Sequence, residues 1–154
     1  MEIRCVVNGE EQTWQASSSD RLLDLLRRAG YLGVKHGCDD GACGACTVLL
    51  DGRPVQSCVL LAAQADGHRI TTVEGIGTPK APDVLQRAFV AYGAIQCGFC
   101  TPAMITAATA LLGRNPNPSE DEVREALAGV LCRCTGYVKP VQAVLAAARA
   151  LRGE

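Results

Sequence analysis

The chain has 154 residues, of which 48% are apolar and only 4% aromatic, so Ala, Val and Leu must build its cores. Its 15 Lys and Arg balance 16 Asp and Glu, which gives no reason to expect nucleic-acid binding. No run approaches the roughly 18 apolar residues of a membrane span. Residues 1–9 also lack the basic start and apolar core of a signal peptide, so we expect a cytoplasmic protein without a membrane span.

Alternation of apolar and polar residues predicts an N-terminal sheet. Cys5 alternates with Ile3 and Val7, so we expect it to be a buried apolar residue rather than a ligand. Residues 17–20, Ser-Ser-Ser-Asp, predict the cap of one helix that ends at Gly30. Strands are predicted at residues 2–8, 11–16, 47–50, 53–57 and 69–74, with a short helical turn at 59–64. A small mixed sheet that clasps one helix is a β-grasp arrangement, to which we assign residues 1–76.

The chain has nine cysteines, an odd number, and eight of them fall into two sets of four. Without an export signal, this clustering favours metal ligation over a disulfide framework. The first set consists of Cys38, Cys43, Cys46 and Cys58. Its C-x4-C-x2-C spacing with a later fourth cysteine is typical of a plant-type [2Fe–2S] cluster. Glycines in the same loop, Gly37, Gly41 and Gly44, allow positive φ and let backbone N–H groups approach the sulfides.

Residues 77–82 are rich in Gly and Pro and predict a linker. Beyond it the apolar period changes from two to about 3.6, as in amphipathic helices. Helices are predicted at residues 83–92, at 101–112, from the capping box Ser119-x-x-Glu122 onward, and at 138–151. Four short helices predict a bundle over residues 83–154, and the whole chain is predicted to have an α+β fold of two domains.

The second cysteine set lies at two junctions of this predicted bundle. Cys97 and Cys100 separate the first and second helices, and Cys132 and Cys134 separate the third and fourth. Taken alone, four thiolates there suit a structural zinc ion as well as an iron–sulfur cluster. The neighbouring plant-type loop favours a second [2Fe–2S] cluster, because two redox centres in one small chain form a path for electrons.

Four runs of sequence carry a resemblance to a known family. They are residues 35–38 (Lys-His-Gly-Cys), 41–48 (Gly-Ala-Cys-Gly-Ala-Cys-Thr-Val), 96–102 (Gln-Cys-Gly-Phe-Cys-Thr-Pro) and 131–137 (Leu-Cys-Arg-Cys-Thr-Gly-Tyr). In these runs the chain resembles the small iron–sulfur subunit of the molybdenum hydroxylases, the family of xanthine oxidase, aldehyde oxidoreductase and aerobic carbon monoxide dehydrogenase. It departs from the family pattern at Ala103 and Val130, and neither departure removes a ligand.

The resemblance implies an N-terminal plant-ferredoxin-like domain and a C-terminal four-helix domain with one [2Fe–2S] cluster each. It implies that the second cluster lies next to molybdopterin, in its cytosine dinucleotide form, on a large subunit. The first cluster would face FAD on a medium subunit, in a heterotrimer or a dimer of heterotrimers. Gln96 and Cys134 match the positions that approach the pterin ring, although Gln96 is also explained as a helix-end capping side chain.

The implied function is that of an electron-transfer subunit, which passes single electrons from the molybdopterin site through two clusters to FAD. No residue of this chain is expected to be catalytic, and His36 and His68 are expected to be structural or surface residues. One alternative is a free-standing two-cluster ferredoxin-like carrier, although such carriers tend to be strongly acidic and this chain is not. Another is a zinc-stabilised interaction module. The substrate of the complex is chosen by the large subunit.

Overall fold

Five strands form one mixed sheet at the N-terminal end of the computed structural model, which describes all 154 residues. The strands are β1 (Glu2–Val7), β2 (Glu10–Gln15), β3 (Thr47–Leu50), β4 (Arg53–Gln56) and β5 (Arg69–Thr71). Their order is β2-β1-β5-β3-β4; β1 and β5 are parallel, and the other neighbours are antiparallel. The predicted mixed sheet is therefore confirmed.

The single helix of this part, α1 (Leu22–Arg28), packs its leucines against the inner face of the sheet. Cys5 is 5% exposed and belongs to the same apolar cluster, so its predicted burial is confirmed. Leu22, Leu23 and Leu26 are fully buried, because their spacing places them on the helix face that meets β1 and β5. This arrangement confirms the predicted β-grasp fold.

The start of α1 differs from the prediction. The residue at the N-cap position is Arg21, and its side chain makes no capping hydrogen bond. Asp20, the expected cap, instead accepts hydrogen bonds from the Ser17 hydroxyl at 2.7 Å and from the Arg28 guanidinium at 2.7 Å. The predicted cap at residues 17–20 is therefore wrong, because the first N–H groups of the helix, those of Leu22 and Leu23, donate instead to Leu60 O and Ser57 O.

The fifth strand is shorter than predicted. After Thr71 the chain turns into a short 3-10 helix, Val73–Gly75, and a similar 3-10 helix, Ala62–Ala65, stands near the predicted turn at 59–64. The side chain of Asn8 accepts a hydrogen bond from Thr72 N and donates one to the Thr72 hydroxyl, both at 2.9 Å. These side-chain bonds take the place of further ladder bonds.

Four helices follow and confirm the predicted bundle. They are α2 (Val84–Ala91), α3 (Thr101–Arg114), α4 (Glu120–Ala128) and α5 (Val138–Leu151). They enclose the largest apolar core of the chain, which has 20 buried residues, all between Leu85 and Ala148. The predicted capping box is present, since the Ser119 hydroxyl accepts from Glu122 N at 3.2 Å and the Glu122 carboxylate accepts from Ser119 N at 2.7 Å.

The two parts of the chain lie against each other. Helix α3 contacts β3 and β4, and the partly buried residues Val73 and Ile76 pack against the helical core rather than the sheet. The longest helices, α3 and α5, have 14 residues each, and no helix has the length and hydropathy that a bilayer span requires.

Candidate metal centres

The first cysteine set lies in the loop between α1 and β3, with its last member directly after β4. Gly41 and Gly44 have φ of +80° and +67°, so two of the three glycines adopt the left-handed conformation that the sequence predicted. Gly37 does not adopt this conformation. Glycine is required there for space, because a Cβ atom at Gly37 would come within 2.8 Å of Cys43 Sγ. Asp39 is a further left-handed residue, with φ of +68°, that the sequence gave no reason to expect.

Buried polar side chains hold this loop to the sheet. The Thr47 hydroxyl donates to Gly44 O at 2.6 Å, and the Ser57 hydroxyl donates to Cys46 O at 2.8 Å. Both residues are buried, and both hydroxyls bond backbone carbonyls of the loop. The backbone that carries the cysteines is therefore fixed from β3 and from the end of β4.

The four thiols of the first set form two pairs. The Cys38 and Cys43 thiols lie close enough to affect each other's pKa, and the Cys46 thiol helps to raise the pKa of Cys58. Cys43 N also donates to Cys38 Sγ at 3.3 Å, so one backbone N–H of this loop is directed at a cysteine sulfur. Burial, together with the neighbouring Cys46 thiol, raises the pKa of Cys58 to about 12.

The second set is built from two helix junctions that meet at one end of the bundle. Cys97 and Cys134 approach each other to 3.6 Å between sulfur atoms, although 37 residues separate them in sequence. Cys100 and Cys132 form the other pair, in which burial and the Cys132 thiol raise the pKa of Cys100 to about 12. The structure therefore brings all four predicted residues to one end of the bundle as two pairs.

Two residues that the sequence did not single out support the second set. Burial disfavours the Cys132 thiolate, but hydrogen bonds from the Thr135 hydroxyl at 3.2 Å and amide at 3.4 Å outweigh it and lower the pKa of Cys132 to about 7. The Tyr137 hydroxyl accepts from Cys132 N at 2.8 Å and donates to Val130 O at 3.1 Å. Their position within five residues of Cys132, in the run 131–137 that carries the family resemblance, was their signal in the sequence.

Gln96 lies beside the second set. Its side-chain amide donates to the carbonyl oxygen of Cys134 at 3.1 Å, which joins the two helix junctions. Gln96, Cys97 and Cys134 are all exposed. The structure thus places the two residues predicted to approach a pterin next to each other at the surface.

The arrangement of the thiols fits iron–sulfur clusters. Two pairs of thiols match a two-iron cluster held by four cysteines, with two sulfurs for each iron. Thiols with a pKa of about 12, such as Cys58 and Cys100, become thiolates at neutral pH only when a bound cation stabilises them.

The two cysteine sets are joined through the backbone. Leu131 N donates to Cys43 O at 2.9 Å, so one hydrogen bond connects a residue of the first set with the neighbour of Cys132 in the second. At the same place a Cβ atom on Gly44 would overlap the carbonyl oxygen of Gly129. The close approach of the two domains therefore depends on glycine at position 44.

The two histidines lie at the surface, as expected. The His36 side chain is 50% exposed and pairs with Asp39, and the His68 side chain is 45% exposed and pairs with Asp51 at 2.6 Å. The hydrogen bond from His36, together with the charges of His36 and Arg21, lowers the pKa of Asp39.

Comparison with family models divides the chain into two matches. A model described as a 2Fe-2S iron-sulfur cluster binding domain matches residues 5–72, and one described as a [2Fe-2S] binding domain matches residues 72–145. Together they cover nearly the whole chain, and each contains one of the two cysteine sets.

Individual proteins match over the same length. The nicotinate dehydrogenase small FeS subunit of Eubacterium barkeri is 50% identical over 134 residues, which are 86% of this chain and 85% of that protein. Quinoline 2-oxidoreductase from Pseudomonas putida 86 has a chain with a TM-score of 0.94 and 44% identity, which covers 99% of this chain and 96% of its own. The aldehyde oxidoreductase from Desulfovibrio desulfuricans ATCC 27774 matches with a TM-score of 0.96 and 45% identity; there 99% of this chain corresponds to only 17% of a longer one.

Proposed function

The chain belongs to the iron–sulfur subunits of the molybdenum hydroxylases, and we propose that it connects a molybdopterin site on a large subunit with FAD on a medium subunit. It contains two [2Fe–2S]-binding domains and serves electron transfer within an oxidoreductase. The observation that carries the proposal is the pairing of thiols in two sets that one hydrogen bond joins, from Leu131 N to Cys43 O.

We assign the cluster ligands from the two cysteine sets, and the domain boundaries from the separate apolar cores. The first cluster is held by Cys38, Cys43, Cys46 and Cys58, and the second by Cys97, Cys100, Cys132 and Cys134. When bound, each cluster supplies a centre that takes up and releases one electron at a time. The proposed domains are residues 1–76 and 83–154 with a linker at 77–82, since no buried residue belongs to both the sheet core and the helical core.

Residues of this chain stabilise the extra negative charge that each cluster would gain on reduction. Cys43 N donates to sulfur in the first set, and the Thr135 amide and hydroxyl donate to Cys132 Sγ in the second. Hydrogen bonds to ligand sulfur favour the reduced state of such a centre. Burial of Cys46 and Cys58, at 2% and 3% exposure, keeps water from the inner side of the first set.

The exposed side of the second set is the proposed contact with the large subunit. Gln96 and Cys134 lie there together, and we propose that they are the residues of this chain nearest the pterin. Large apolar side chains close to them in sequence are exposed, among them Ile95, Phe99, Leu131 and Val138. An exposed apolar surface of this kind is typical of a subunit interface. In the assembled complex, Gln96→Ala should keep all the iron while it slows reduction of the second centre by substrate.

Metal analysis of the native complex tests the proposal. The complex is purified without oxygen through an affinity tag on this chain, and its iron, molybdenum, zinc and flavin contents are measured together with its native mass. We expect about four irons per molybdenum, with FAD and two larger chains in a heterotrimer or a dimer of heterotrimers. Iron without molybdenum or partners would instead identify a free-standing carrier. Zinc in place of iron would contradict both redox functions.

A further inference from the structure

Asp39 directly follows the first ligand of the cysteine loop and has a conformation that needs support. Its φ of +68° is left-handed, a conformation that Asp adopts when its short side chain is hydrogen-bonded. Two basic side chains bind that carboxylate: Arg21 Nη1 lies 2.9 Å from Asp39 Oδ1, and His36 Nε2 lies 2.5 Å from the same oxygen. Arg21 Nη1 also reaches the backbone oxygen of Asp39 at 3.5 Å.

Arg21 is itself attached to the segment that follows Cys58, the last cysteine of the first set. It forms an isolated antiparallel bridge with Leu61, and the next residue, Leu22, donates to Leu60 O at 2.9 Å. Leu60 and Leu61 come just after Cys58. The ion pair of Arg21 with Asp39, which we call the loop clamp, therefore ties the loop that carries Cys38 to the segment that carries Cys58.

The loop clamp contributes little to the folding stability of the protein. The side chains of Arg21 and Asp39 are 41% and 44% exposed, and ion pairs at such positions add little to the stability of a fold. Asp39 nevertheless directly follows Cys38 and Arg21 contacts it, so both charges lie near the first set and act on whatever charge that set holds. The reduction potential of an iron–sulfur cluster responds to nearby charge and to solvent exposure.

We propose that Arg21 and Asp39 are positioning residues of the first [2Fe–2S] cluster, which hold its loop and set its reduction potential through opposite charges. The inference rests on the proposed function in one respect, that the first set holds such a cluster. Arg21 favours the reduced state, since its positive charge offsets the added electron. Asp39 opposes it, and the balance between the two fixes the potential relative to the second cluster.

The test compares R21Q and D39N in the intact complex, with each cluster followed by its electron paramagnetic resonance signal during a redox titration. In R21Q, the ratio of reduced to oxidised first cluster at a fixed potential should fall about threefold, which at about 59 mV per tenfold is a downward shift of about 30 mV. D39N should shift the potential upward by a similar amount. The double variant R21Q/D39N should return close to the unchanged protein, and the second cluster should not move in any of them.

A matched control lies on the same helix. Arg28 pairs with Asp20 at 2.7 Å and is also exposed, but neither residue belongs to the cysteine loop. R28Q should therefore leave both potentials unchanged. D39G, which removes the carboxylate and suits the left-handed backbone, should bind the cluster and shift its potential upward as D39N does.

The inference is overturned if R21Q and D39N shift the potential in the same direction, if neither shifts it, or if R28Q shifts it as much as R21Q. If R21Q loses the first cluster, R21K must retain it, because the charge is kept; loss in R21K as well would also overturn the inference. Failure of the proposed function is distinct, since it would remove the signal of the first cluster, or the molybdenum partner, from the unchanged protein.

Discussion

The first cysteine set occupies one glycine-rich loop and the end of a strand. The second is divided between two helix junctions, in which the adjacent thiols of Cys97 and Cys134 are 37 residues apart in sequence. Both nevertheless present two pairs of thiols, of which one is more deeply buried. In the first set Cys46 and Cys58 form the inner pair, and in the second set Cys97 and Cys134 form an exposed outer pair. The same ligand arrangement is thus obtained from two unrelated local structures.

The two sets differ in what hydroxyl groups do for them. Both contain left-handed glycines, such as Gly44 in the first set and Gly136 in the second. In the first set the hydroxyls of Thr47 and Ser57 bond backbone carbonyls, whereas in the second the Thr135 hydroxyl donates to a cysteine sulfur. Removal of the Thr135 hydroxyl should therefore act directly on the second cluster.

Loss of one buried ligand should have the largest effect and should separate the sets. We expect C46S and C100S each to lower the iron content of the complex from about four to about two, because each removes a thiolate from one four-cysteine site only. Electron paramagnetic resonance should show the first signal missing in C46S and the second missing in C100S. C5A is the matched control, since Cys5 is buried in the sheet core, and it should keep about four irons. Loss of all the iron in either variant would show that the two sites do not load independently.

Substitution of Gly44 should have the next largest effect. G44A combines a left-handed φ of +67° with overlap on the carbonyl of Gly129, whereas Gly52 has φ of +79° and open space around it. The conformation alone costs about 1–2 kcal/mol and the overlap about 1–3 kcal/mol more. At about 2–4 °C for each kcal/mol, Tm should fall by roughly 10 °C in G44A and roughly 3 °C in G52A.

Amide hydrogen exchange locates the damage. In G44A the Leu131 amide should exchange faster, because its hydrogen bond to Cys43 O lies beside the overlap. In G52A its exchange should be unchanged. Equal loss of Tm in the two variants, with unchanged exchange at Leu131, would mean that the domains do not approach each other at Gly44.

Much of the fold could be predicted because local patterns encode it. Alternation identified β1 with Cys5 buried, the capping box at Ser119 identified the start of α4, and spacing assigned eight cysteines to two sets. The start of α1 could not be predicted, because the capping side chain of Asp20 is taken by Arg28, which lies a full helix away.

The contacts around the cysteine sets were missed for a similar reason. The close approach of Gly44 to Gly129 and the ion pair between Arg21 and Asp39 join residues that are far apart in sequence and belong to no common sequence motif. A glycine in a cysteine loop has a local explanation, and nothing in the sequence shows that another domain packs on it.

The smallest effect should come from the hydroxyl of Thr135, which donates to Cys132 Sγ at 3.2 Å. T135V removes this bond while the amide bond from the same residue remains. A hydrogen bond is worth about 0.5–1.5 kcal/mol, so the potential of the second cluster should fall by about 20–60 mV at about 59 mV per tenfold. T135S should restore it. T109V is the matched control, because the Thr109 hydroxyl donates to Ile105 O within α3, and it should leave both potentials unchanged. A shift of the first cluster in T135V would contradict the separate tuning of the two sets.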